Sequence, residues 1–130
     1  MTHSAQIDRI GQVHISVDDL ERSVRFYRDV LGLRLLFEVP EQSMAFFDCG
    51  GVRLYLGKPE TPEFRSSPLL YYSVADLDAA VDTIASTGVA IHEPPHLVHR
   101  DNRIELWMAG LRDPDGHPLC LMSERARSDA

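Results

Sequence analysis

Cysteine is nearly missing from this chain. Cys49 and Cys120 are the only two among 130 residues, too few for a disulfide framework, and they read as free thiols of a reducing cytoplasm. Tryptophan occurs once, at Trp107. Positive charge is also short: 13 lysines and arginines face 20 aspartates and glutamates, a net charge of −7. That is the wrong sign for tracking a phosphate backbone or an anionic membrane surface. No apolar run approaches the roughly 18 residues of a membrane-spanning helix, and no basic-then-apolar leader is visible. Nucleic acid and membrane are therefore not expected as partners, and a cytoplasmic location is. Core-forming residues are plentiful by contrast. A composition 44% hydrophobic and 25% charged is that of a globular protein, and one domain of this length buries roughly two thirds of its unfolded surface.

An internal repeat organises the chain. Ile15-Ser16-Val17-Asp18-Asp19-Leu20-Glu21-Arg22-Ser23-Val24 is matched by Tyr72-Ser73-Val74-Ala75-Asp76-Leu77-Asp78-Ala79-Ala80-Val81, in which Ser, Val, Asp, Leu and Val coincide. The flanks agree in order. Each copy follows an apolar extended run, enters a helical stretch, stops at a glycine (Gly32 and Gly88) and resumes with a β-prone run. Asp18 or Asp19 is placed to cap the first helix and Asp76 the second, with carboxylates favouring the positive dipole end. Leu20, Val24, Tyr27 and Leu31 form one buried stripe at helical spacing, and Leu77, Val81, Ile84 and Ala85 form the other.

The extended runs are residues 10–17, 33–39, 43–48 and 52–57, then 69–74, 89–92, 104–112 and 119–123. Gly50-Gly51 reads as a hairpin turn, and Asp113-Pro114-Asp115-Gly116 as a tight reversal. The predicted fold class is α+β: two tandem βαβββ modules, residues 8–58 and 68–124, joined by a linker at 59–67 and followed by a frayed tail at 125–130. The Pro-broken stretch from His92 to Arg103 reads as a loop. It suits a mobile cover whose Arg100 or Arg103 meets an anionic ligand, and its three histidines lack the fixed geometry of a metal tract.

That duplicated order resembles the vicinal oxygen chelate superfamily, the glyoxalase, bleomycin-resistance and extradiol dioxygenase fold. The resemblance rests on Val17 to Tyr27 with Leu31-Gly32, on Val74-Ala75-Asp76-Leu77, and on Arg112 to Leu119 around Asp-Pro-Asp-Gly. It covers about Ile10 to Glu124. It implies curved mixed sheets enclosing an intermodule cavity, a small-molecule ligand, often one divalent metal, and a homodimer. The family's metal slots fall here on Gln12, Tyr55, Leu69 and Cys120. Glutamine is an accepted ligand, but leucine has no donor atom and no carboxylate is present, a mixture that serves no common ion well. The expectation is a degenerate metal site and no cofactor, with a divalent metal as the alternative.

Other candidates follow from strand parity. His14 shares a face with Gln12, so it is either a proton-transfer or binding residue of the cavity or a core histidine. Tyr55 and Tyr71 are candidate ligand contacts. Glu105 and Trp107 share a face: inside a cavity the pair offers a general base with a raised pKa, and outside it an exposed charge and a dimer contact. Gln12, His14, Tyr55, Tyr71, Arg100 and Trp107 are thus the expected ligand-binding set, with His14 and Glu105 as candidate bases. The function implied is small-molecule binding in the cavity. The alternatives are a glyoxalase- or epimerase-type lyase or isomerase that abstracts a proton beside a carbonyl, and metal-free catalysis by His14 or Glu105.

Overall fold

The structure, a computed structural model, describes residues 3–127. In chain order it contains β1 (Gln12–Ser16), α1 (Leu20–Arg25) running into a π-helical turn (Phe26–Val30), β2 (Arg34–Val39), β3 (Met44–Cys49) and β4 (Val52–Gly57). There follow β5 (Leu70–Ser73), α2 (Leu77–Ser86), β6 (Ile91–Arg100), β7 (Ile104–Arg112) and β8 (Pro118–Ala126). The two modules have the same topology. One sheet is ordered β1-β4-β3-β2 and the other β5-β8-β7-β6, each with one parallel pair at its edge (β1 with β4, β5 with β8) and antiparallel pairing elsewhere.

Both helices start as their sequence signals require. Asp19 accepts from the Arg22 backbone N–H at 3.2 Å and Asp76 from that of Ala79 at 3.0 Å. Gly32 and Gly88 end the helical stretches at φ +76° and +92°. The buried stripes of both helices enter one core shared by the two modules: Val24, Tyr27, Phe47, Leu54 and Leu56 pack in the same cluster as Leu77, Ile84, Leu111, Leu119 and Leu121. Alternation along the strands sends their other side chains to the opposite, open faces of the two sheets.

The β7–β8 turn clasps the modules together. Asp113 Oδ1 accepts the backbone N–H groups of Asp115 and His117 at 2.9 Å, and its Oδ2 accepts the Tyr27 hydroxyl at 2.7 Å. Asp115 accepts the Asp18 backbone N–H at 2.9 Å and the Ser23 hydroxyl at 3.0 Å. His117 Nε2–H donates to the Ser16 carbonyl at 2.6 Å, while its Nδ1 lies 2.6 Å from Ser67 Oγ.

Two expectations are corrected. Residues 92–100 are not a loop: β6 extends to Arg100, leaving only residues 101–103 as the turn into β7, and Pro94 and Pro95 are tolerated because β6 is an edge strand whose register slips between Glu93 and His96. The tail is not frayed from residue 125. β8 runs through Arg125 and Ala126, which pair with Glu105 and Ile104, while residues 128–130 lie outside the described residues.

Candidate functional site

The open face of the first sheet carries an aromatic row. The two-residue Gly50-Gly51 turn sets the β3–β4 register, so that Phe46 lies opposite Tyr55, and β1 pairing places His14 on the other side of Tyr55. The rings follow one another across four strands. His14 is 4.6 Å from Tyr55 between centroids, Tyr55 stacks on Phe46 at 4.8 Å, and Phe46 stacks on Phe37 at 4.5 Å. The Arg53 guanidinium sits 5.3 Å from the Phe46 centroid, within cation–π range. Gly57 lets the row lie flat: a Cβ there would stand 2.6 Å from Tyr55 Cε1.

Beside this row is a pocket of about 540 Å³ between β1, β4 and the linker, walled by Gln12, His14 and Tyr55 on the sheet and by Lys58, Phe64 and Ser66 on the linker. Its size falls in the range of small-molecule sites. The linker is tied to the sheet at His14. Ser66 Oγ donates to the His14 carbonyl at 2.6 Å and lies 3.0 Å from Nδ1, while Nε2 lies 3.3 Å from the Gly57 carbonyl. Burial, with Glu60 nearby, pushes the Tyr55 phenol up.

The other expected residues lie elsewhere. Tyr71 and Cys120 are register partners on the open face of the second sheet, and Tyr71 and Leu69 are exposed; none of the three lines the pocket around His14. Burial and Glu93 raise the Cys120 thiol. Trp107 packs against the core, and its indole N–H donates to Glu105 at 3.0 Å. That bond, followed by the Arg100 contact, holds the Glu105 carboxyl below the usual carboxylate range, the reverse of the raised value expected of a base. Arg100 is occupied as well, donating to Glu105 at 2.8 Å.

The four metal slots therefore do not converge within one chain, and their chemistry does not suit a divalent ion. The Gln12 side-chain oxygen accepts from Arg53 Nε–H at 2.9 Å, which sets a cation beside that slot. Leu69 offers no atom, and the Tyr55 and Cys120 protons are both held more tightly than usual. Asp113, Asp115 and His117 do approach within 4.8 Å of one another, but their oxygens and nitrogens are taken up by the intermodule clasp.

Sequence reasoning missed Phe37, Phe46 and Ser66. Phe46 was within reach: counting outward from a two-residue turn at Gly50-Gly51 pairs it with Tyr55. Ser66 carries no signal, since its position depends on how the linker folds back.

Comparison with known proteins bears on this arrangement. Residues 9–121 match the model of the Glyoxalase/Bleomycin resistance protein/Dioxygenase superfamily. The uncharacterized protein YraH of Bacillus subtilis is 32% identical over 82% of this chain and 91% of its own length. The metallothiol transferase FosB of Lysinibacillus sphaericus is 29% identical over 85% of this chain and 79% of its own. The crystal structure of lactoylglutathione lyase from Agrobacterium tumefaciens superposes with a TM-score of 0.67 at 22% identity, covering 91% of this chain and 95% of that one.

Proposed function

We propose, from the premise that this chain belongs to the Glyoxalase/Bleomycin resistance protein/Dioxygenase superfamily, that it binds a small organic molecule on the aromatic face of its first sheet without a family-type metal. The observation that carries this reading is the junction of the His14–Tyr55–Phe46–Phe37 row with the pocket beside it. Aromatic side chains supply contact area at little entropic cost, and the polar atoms around them fix orientation. His14 and Ser66 present such atoms at one end, and Lys58 and Arg65 oppose Glu60 and Glu63 along the linker wall. The Gly57 carbonyl beside Nε2 and Ser66 Oγ beside Nδ1 hold the His14 ring in place, which favours a positioning role for this residue.

The slot residues do not fit a metal, so no step is routed through one. A second copy of the chain is the natural cover for the open faces, which expose Phe37, Leu69 and Tyr71. Exposed apolar area of this kind marks an interaction site more often than a free surface. The active form on this reading is a cytoplasmic homodimer.

The test combines two measurements. Protein incubated with nickel, zinc, manganese or ferrous iron and then dialysed is expected to retain no stoichiometric metal; stoichiometric metal that Gln12→Ala abolishes would overturn the metal-free reading. A thermal-shift screen of small organic compounds is expected to find ligands that stabilise the wild type but not Tyr55→Ala. A ligand present at a hundred times its Kd adds about 2.7 kcal/mol, which such a screen detects. Ligands equally effective on Tyr55→Ala would place binding elsewhere.

A further inference from the structure

On the helix side of the sheets, where the π-helical turn after α1 approaches α2, lies a second pocket of about 500 Å³. It shares no lining residue with the pocket around His14. Its walls are mainly apolar: Val30, Leu31 and Leu33 on the side of the first module, Ala80, Ile84 and Leu121 on that of the second.

Three features point to an occupant. The cleft opens to the surface, and α2 presents the small side chains Ala79 and Ala80 here, which leave room that larger aliphatic side chains would reduce. The adjoining wall is formed by a π-helical turn, closed by the Leu31 N–H donating to the Phe26 carbonyl at 3.0 Å; such turns are rare and concentrate at functional sites. Finally, Tyr72 lines the pocket, half-buried. Among the described residues its hydroxyl has no hydrogen-bond partner, and it is not sealed from the pocket. A phenol O–H that reaches the cleft with no protein partner is free to donate to an incoming acceptor. The other uncharged polar side chains of the lining are the Ser73 and Thr83 hydroxyls and the Cys49 thiol, a weak donor. Asp29 is the single charged side chain in the lining, and with no cation present an anionic ligand has no counter-charge.

We propose that this cleft is a second binding site, for a neutral and mainly apolar molecule bearing one hydrogen-bond acceptor that takes the Tyr72 hydroxyl. Benzophenone has this chemistry and also photolabels nearby C–H bonds. Irradiated with the full-length protein, it is expected to give saturable labelling that peptide mass spectrometry maps to residues 30–33 or 79–84. Ala80→Phe, which projects a ring into the cleft, should abolish the label. Tyr72→Phe should weaken binding about three- to tenfold, the loss of one hydrogen bond, and diphenylmethane, which lacks the carbonyl, should be weaker by the same factor. Labelling that is scattered, unsaturable or unchanged in Ala80→Phe would overturn the site. Equal affinity for benzophenone and diphenylmethane would overturn the role of Tyr72. Should Ala80→Phe fail to fold by circular dichroism, the label map and Tyr72→Phe decide the matter.

Discussion

The clasp between the modules offers the sharpest test of how the fold is held. Tyr27 is 2% exposed, and its hydroxyl donates to Asp113 Oδ2 at 2.7 Å across 86 residues of chain. Tyr27→Phe leaves the ring in the core and removes only that bond. A hydrogen bond to a charged group contributes about 1.5–3 kcal/mol. Asp113 keeps the two backbone N–H donors on its other oxygen, so the carboxylate is only half stripped, and the expected cost is about 2 kcal/mol. At about 2.1 cal/mol/K of unfolding entropy per residue, a chain of 130 residues loses roughly 7 °C in Tm. Calorimetry and urea titration of the wild type and Tyr27→Phe measure both quantities. Because the modules share one core, unfolding should remain a single transition with an unchanged m-value. A loss under about 0.5 kcal/mol, or the appearance of two transitions, would refute the idea that this contact fastens one module to the other.

Three further outcomes are expected. Burial, and then Asp113, raises the Tyr27 phenol; burial, and then Cys49, raises that of Tyr72. The folded state thus holds both protons where the unfolded chain has released them, so stability is intact below the unfolded value near 10 and falls above it, by about 2.7 kcal/mol per pH unit for the two groups together; urea titrations at rising alkaline pH should show about half that slope in either Phe variant. Asp76→Ala removes the cap of α2 and should cost about 1 kcal/mol by chemical denaturation. Gly57→Ala pushes the Tyr55 ring off β4, so near-ultraviolet circular dichroism should change, and ligands found with the wild type should lose affinity while the melting curve stays cooperative.

The fold was legible because its signals are local and doubled. A capping aspartate, a 3.6-residue stripe and a terminal glycine recur in the same order, and each depends on neighbours within one turn of helix. β6 was hidden because Pro94 and Pro95 argue against a strand, and only its place at the sheet edge makes them tolerable. The placement of Trp107 and Glu105 was illegible for a different reason. Parity shows that they share a face, but which face meets the core is decided by β7 pairing with β8, where Trp107 lies opposite the buried Ser123.

The site divides along the same line. Gln12, His14 and Tyr55 come together because parallel pairing of β1 with β4 sets His14 beside Tyr55, and parity within one strand already grouped the first two. Tyr71, Leu69 and Cys120 belong to an equivalent surface on the second sheet, which the core separates from the first. The two modules spend their helix-bearing faces on each other, and that leaves each aromatic or apolar sheet face without a cover in its own chain. A ligand at Tyr55 is therefore enclosed only if something closes over the first sheet. If sedimentation finds a dimer whose dissociation weakens ligand binding, that cover is a second copy; binding independent of protein concentration would mean that the linker from Lys58 to Ser66 suffices.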